Sequence, residues 1–270
     1  MTQDAGRMDW PTVVAIAAIA SALSTQLHEA VGHGGTCLAL GGKVTEWGAF
    51  YVNCNADGAP PMVARLVAAA GSTMNLLTAL IAFALLRATP PARPRARFFL
   101  WLMFAVGGFE WAGYYFFSGV SGLGDWGASK DGVFNLVPGW TIWRIVLGGG
   151  GFVIYWAWAI VAMRRLTLLT GADPAGVRRA WRLSWAAYFT IGGMAVAIGL
   201  MNPVGLFVLL ASAVASSFGG ASGLMWGPFN IKPGAAAAEP LAITRSWSWI
   251  VAGVAAVLAE GLILGPTLRF

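Results

Sequence analysis

LHEAVGHGG, residues 27 to 35, holds both histidines of the chain, with a glutamate beside the first. Two imidazoles and a carboxylate are ligands for a divalent ion such as zinc, and a carboxylate next to such an ion can take a proton from water. In the HExxH signature the histidines stand four apart and share one helical face. Here His28 and His33 are five apart, about 140° around a regular helix, so undistorted helix cannot bring both to one ion. Gly32, Gly34 and Gly35 offer the remedy: they permit a π-bulge that returns residues five apart to one face, or they end the helix so that His33 swings in from irregular backbone. The expectation is one bound divalent metal, zinc by its donor set, on His28, His33 and an acid from elsewhere, with Glu29 as general base. In the competing reading His28, His33 and Glu29 pair with backbone or each other, and the glycines serve close helix packing. Three features favour the metal: the chain has no other histidine, the glutamate is adjacent, and suitable acids follow downstream.

The composition defines the surroundings of this motif. Of 270 residues, 58% are hydrophobic and 10% charged, with a mean hydropathy of +0.70, whereas a soluble domain carries about 25% charged residues. The fold class expected is an all-α integral membrane protein, a polytopic bundle of about seven transmembrane helices, since in hydrocarbon each backbone group must bond within its own segment. The apolar runs read as helices over roughly 11–40, 62–88, 97–120, 140–165, 180–201, 203–226 and 246–266. The sixth follows Asn202-Pro203 almost without a loop and carries Gly219, Gly220 and Gly223, which also suit a re-entrant segment. One transmembrane domain over 1–270 is expected, its metal-site core about 11–139 and its additional helices about 140–266. No cleavable signal peptide is expected, because the first apolar run is too long for one.

His28 falls ~26 Å along a helix that starts at Pro11, near the far edge of a ~30 Å core. An uncompensated glutamate there costs at least ~2.5–3.5 kcal/mol, so Glu29 must be paired, protonated or functional. Arg87, Arg93, Arg95 and Arg97 lie between helices two and three, and Arg164, Arg165, Arg178, Arg179 and Arg182 between four and five. These loops are expected in the cytoplasm, with the N-terminus, and the protein in a bacterial inner membrane. The net charge of +6 is therefore topological. The lipid bilayer is the expected partner, with a membrane-protein substrate or partner subunits beside it, and no nucleic acid. Cys37 and Cys54 flank the first polar loop and could close it as a disulfide in an oxidising compartment.

Residues 27 to 50, LHEAVGHGGTCLALGGKVTEWGAF, resemble the first catalytic segment of the site-2 protease family of intramembrane zinc metalloproteases, in which HExxH on a membrane helix precedes small residues, a GG and a short β-prone loop. Residues 66 to 83, LVAAAGSTMNLLTALIAF, resemble the next helix of that family. The likeness covers about the first third of the chain. It implies His28 and His33 as zinc ligands, Glu29 as the base, Asn75 as a polar residue facing the site, and an aspartate from a later segment as third ligand. In SGLGDWGASKDG, Asp125 is preferred to Asp131, because it stands closer to helix three among Gly122, Gly124 and Trp126, where a re-entrant turn can dip toward the site. Glu110 in GGFEWAGYY is the alternative ligand; otherwise it is a glutamic acid bonded to Tyr114 or Tyr115. Glu260 in the last helix is a weaker candidate. The chain departs from the family in the extra residue between its histidines, in lacking a recognisable LDG, and in a charge pattern that sets the site toward the external side.

The function expected is thus a membrane-embedded zinc metalloprotein, a diverged intramembrane metallopeptidase hydrolysing a peptide bond. The alternative is a non-catalytic accessory or structural subunit of a membrane complex, its fourteen tryptophans forming a lipid belt or docking face. A transporter using Glu110 and Glu260 is a third class. Two histidines are too few for a two-iron desaturase or hydroxylase, and a seryl or cysteinyl triad has no spare histidine. Haem or chlorophyll ligation by one histidine stays open.

Overall fold

Proline marks the start of four of the long helices, where its fixed φ suits the first turn and its missing N–H costs nothing. In the structure, a computed structural model that describes residues 8–130, 132–203, 205–206, 209–237 and 239–270, α1 (Trp10–Gln26), α3 (Pro61–Ala88), α4 (Pro94–Ser121) and α6 (Pro174–Gly199) all carry a proline in the first two positions. Asp9 caps α1 by accepting from Thr12 N (3.1 Å) and Thr12 Oγ1 (2.7 Å), and the Thr12 hydroxyl, with Arg245 assisting, holds its carboxyl below the usual range. α1 runs on through a π-helical stretch, Leu27–Gly35, into α2 (Thr36–Ala39). Strands β1 (Lys43–Trp47) and β2 (Val52–Asn55) form a hairpin, and Cys37 is joined to Cys54 by a disulfide.

α5 (Trp140–Thr170) and α6 follow α4. Then come a π-helical stretch Leu209–Gly219, 3-10 turns about α7 (Gly223–Trp226), and α8 (Trp247–Leu258) with its π-helical continuation Ala259–Leu264. β3 (Leu268–Arg269) closes the chain against β1, so the sheet order is β2-β1-β3, antiparallel throughout. The sheet corrects an all-α expectation, and the run 203–226 is broken helix among its described residues.

Among the described residues, four helices are long and apolar enough to cross a membrane: Trp10–Ala39, Pro61–Ala88, Trp140–Thr170 and Trp247–Leu264. The outward faces of α5 and α8 expose Ile142, Ile145, Val153, Val251 and Val254, which a bilayer accepts and water does not. α4 is the inner helix. Phe98, Trp101, Leu102 and Phe109 are each wholly buried, and Trp101 Nε1 donates to Ala162 O across to α5 at 2.9 Å. Between helices in lipid the gain is van der Waals contact rather than release from water, so close approach matters most. A Cβ on Gly107 would stand 2.8 Å from Asn75 O of α3, one on Gly253 of α8 2.7 Å from Ala15 Cβ of α1, and one on Gly119 2.7 Å from Gly148 Cα of α5. In the glycine run of α5, Gly148 and Gly151 face α4, while Gly149 and Gly150 meet nothing.

Backbone bonds gather the arginine-bearing turns at one end. Asp9 N donates to Ile243 O, Leu241 N to Leu169 O and Ala172 N to Ala235 O, and Arg95 reaches Thr244. The sheet and the 122–139 loop lie at the other end of α1, where Arg65 Nη2 donates to Asn135 O at 3.0 Å.

Candidate metal centre

The extra residue between the histidines is absorbed by π-helix. In Leu27–Gly35 the backbone bonds run from i to i+5, which stacks residues five apart on one face. His28 and His33 meet there edge to face, with ring centroids 4.7 Å apart and Nε2 to Nε2 3.1 Å. Gly32, Gly34 and Gly35 are not among the positive-φ positions, so backbone freedom is not what glycine supplies here. Contact is the reason at Gly32: an added Cβ would lie 2.8 Å from Gly71 Cα and 3.0 Å from Ala70 O of α3. A Cβ on Gly71 would in turn strike both imidazoles, 2.6 Å from His28 Nε2 and nearer still to His33 Nε2. The two glycines let α3 lie directly under the histidine pair.

Asp125 arrives from the loop after α4. Gly122 and Gly124, at φ +78° and +77°, end the helix and turn the chain back, a conformation that costs other residues a Cβ clash. Trp126 pins the turn: its backbone N donates to Ser118 Oγ (3.3 Å) and its Nε1 to Ser72 Oγ of α3 (2.8 Å), and its ring lies 4.8 Å from that of Tyr115. The Asp125 carboxylate then stands 3.5 Å from His28 Nε2 and 3.6 Å from His33 Nε2. His28, His33 and Asp125 thus offer one donor atom each, all within 4.8 Å of one another, and this group could hold a metal ion.

Hydrogen-bond accounting fits an ion there. His33 Nδ1 lies 2.7 Å from Val67 O; a carbonyl only accepts, so Nδ1 carries the proton and the Nε2 lone pair faces the centre. Asn75 lies with its Nδ2 2.9 Å from His28 Nδ1. That orientation makes His28 Nε2 the protonated nitrogen, donating to His33 Nε2 at 3.1 Å; Asn75 Oδ1 and Asp125 Oδ2 are buried without hydrogen-bond partners. Turning the amide over lets Nδ1–H of His28 donate to Oδ1, which frees the Nε2 lone pair for a metal, while Asp125 gains the cation it lacks. The two Nε2 atoms stand 3.1 Å apart, close to the ~3.3 Å that follows from zinc bonds of ~2.0–2.2 Å at the tetrahedral angle, and each faces a different Asp125 oxygen, that of His28 facing Oδ2 at 3.5 Å and that of His33 facing Oδ1 at 3.6 Å. The residues fit the group.

The remaining acids are arranged differently. Glu29 is buried, with Oε1 3.9 Å from His28 Nε2. Glu110 accepts from Ser24 Oγ at 2.7 Å rather than from Tyr114 or Tyr115, and lies outside the donor group. Tyr115 instead accepts from Trp111 Nε1, and Tyr114 stacks on His28 with centroids 4.6 Å apart. Glu260 accepts from Gln26 Nε2 (3.1 Å), whose Oε1 accepts from Trp47 Nε1 (2.8 Å). Asp131 lies outside the described residues. A cavity of about 30 Å³, one or two waters in size, is bounded by His28, Glu29, Asn75, Glu110 and Tyr114 among others.

Gly71, the Val67 carbonyl and Tyr114 were not assigned to the centre from sequence. The signal for Gly71 is the small-residue stripe Ala68, Gly71, Ser72, Asn75, all buried, at the i, i+3, i+4, i+7 spacing of one helical face. Compared with family models, curated proteins and solved structures, the chain finds no match.

Proposed function

We propose that the protein is a membrane-embedded zinc metalloprotein acting as a diverged intramembrane metallopeptidase. The observation that carries the reading is the convergence of His28, His33 and Asp125, one donor atom from each lying within 4.8 Å of the others and the two Nε2 atoms 3.1 Å apart, with the His33 tautomer imposed by Val67. His28, His33 and Asp125 hold the ion, and Asn75 and Val67 orient the two imidazoles. The ion supplies Lewis acidity toward a water and toward the scissile carbonyl. Glu29, on the wall of the cavity, takes the water's proton at Oε1 and returns it to the leaving amine nitrogen. The cavity admits water but little more, so a substrate must enter by local opening at the sheet end.

Seven passes through the bilayer agree with the chain's course. Asp9, at the start of α1, binds Arg245 (3.1 Å) at one end, while Arg269, next to the last residue, binds Glu46 (3.2 Å) in the sheet beyond the other end. This placement supports an odd number of passes. The excess of arginine at the Asp9 end supports a cytoplasmic N-terminus, which puts the centre toward the outer face. Metal content together with the Glu29→Gln variant tests the reading. Glu29→Gln should keep one zinc per chain and lose cleavage of an added membrane-peptide substrate by a factor of about 10² or more. A metal-free wild type, or a hydrolysis that survives Glu29→Gln and dies in Glu110→Gln, would overturn it.

A further inference from the structure

We propose that the first turns of α6 form a second binding site, distant from the metal centre, for the phosphate headgroup of an anionic lipid. Arg178 and Arg182 stand four apart on α6, so their guanidinium groups lie one turn apart on the same side. Both are exposed, and the ion pairs among the described residues do not include them. The carboxylate nearest in sequence, Asp173, is occupied by the backbone N–H groups of Ala175 (3.3 Å) and Gly176 (3.1 Å). Arg179 between them differs, because its Nη2 donates to Thr170 O at 2.7 Å. Two unneutralised cations at this spacing repel one another until an anion bridges them.

The surroundings suit an amphiphile. Val177, Arg178, Trp181, Arg182 and Trp185 line one groove of about 370 Å³. Its aromatic wall is held: Trp185 Nε1 donates to Met225 O at 3.0 Å, and Trp181 lies edge to face with Phe229 at 4.4 Å and 5.3 Å from Trp185. The groove opens at the arginine-rich end of the bundle, the depth of headgroups and interfacial tryptophan. From there exposed Trp185 and Phe189 continue along α6 toward the middle of the bundle, where an acyl chain lies and free phosphate gains nothing. The inference rests on α6 lying across the bilayer and is independent of the metal.

Native mass spectrometry of the detergent-purified full chain, titrated with phosphatidylglycerol or phosphatidylcholine, tests it. The wild type should retain one phosphatidylglycerol per chain, and the Arg178→Gln/Arg182→Gln variant should hold it about tenfold or more weakly. Arg93→Gln/Arg95→Gln, the same loss of charge at another turn, should match the wild type, and excess inorganic phosphate should not displace the lipid. Equal retention by wild type and the α6 variant, equal retention of phosphatidylcholine, an equal loss in the Arg93/Arg95 variant, or displacement by phosphate would each overturn the site. Unchanged metal content and carbonate-resistant membrane association in the α6 variant separate failure here from failure of the metal or membrane reading.

Discussion

Leu27–Gly35 and Ala259–Leu264 are both π-helical stretches at the ends of membrane-length helices, and each holds a buried glutamate. At the first, a second helix passes directly beneath through Gly71, a loop delivers Asp125, and two imidazoles lie Nε2 to Nε2. At the second, the Glu260 carboxylate accepts from the neutral side chain of Gln26, and no donor group for a cation forms about it among the described residues. A wide turn therefore supplies only alignment. The chemistry comes from what other elements bring to the aligned face: a backbone close enough to shape the floor, a carbonyl that imposes one tautomer, and a carboxylate short of a partner.

The largest effect should come from removing an aligned donor. His28→Ala and His33→Ala should each abolish stoichiometric metal, read by elemental analysis of purified protein, since two remaining ligands do not close a tetrahedral site. A His33→Ala protein that still carries one ion per chain would end the contrast between the two stretches. Gly71→Ala comes next. Its methyl would occupy the space against both Nε2 atoms, so metal content should fall to near zero although every ligand is intact. Retained binding would mean that α3 sits farther from the histidines than described.

A smaller loss is expected where a supporting bond is cut. Asn75→Ala removes the partner of His28 Nδ1 and should weaken metal affinity ~10–100-fold in competition with a chelator. No change would show that the amide does not orient the ring. The smallest effect belongs to the other π-helical stretch: Glu260→Gln should leave metal affinity within about twofold, as for independent sites. A metal loss in Glu260→Gln comparable to that in Asn75→Ala would make the two stretches one coupled system.

Much of the centre could be read from residue types and spacing. Histidines five apart cannot share an ion on regular helix, and the run of glycine beside them pointed to a wide turn. The role of Gly32 could not be read, because its need for no side chain comes from α3, thirty-odd residues on, and not from its own dihedrals. Glu110 was as good a ligand as Asp125 by type and depth. Its carboxylate lies instead against Ser24, outside the donor group, and sequence carries no record of which way a helix is turned.

By itself the sequence determined the apolar lengths, the arginine-rich turns and the periodic small face of α3, because these depend on neighbours within a few residues along one element. Tertiary structure alone decided that Asp125 reaches the histidines, that Val67 O selects the His33 tautomer, that the two cysteines bond, and that the last strand returns to pair with the first. Each of these is a distance of a few ångströms between separate elements. Such distances are set by how closely glycine lets helices pack and where a glycine turn sends a loop, quantities that no single segment contains.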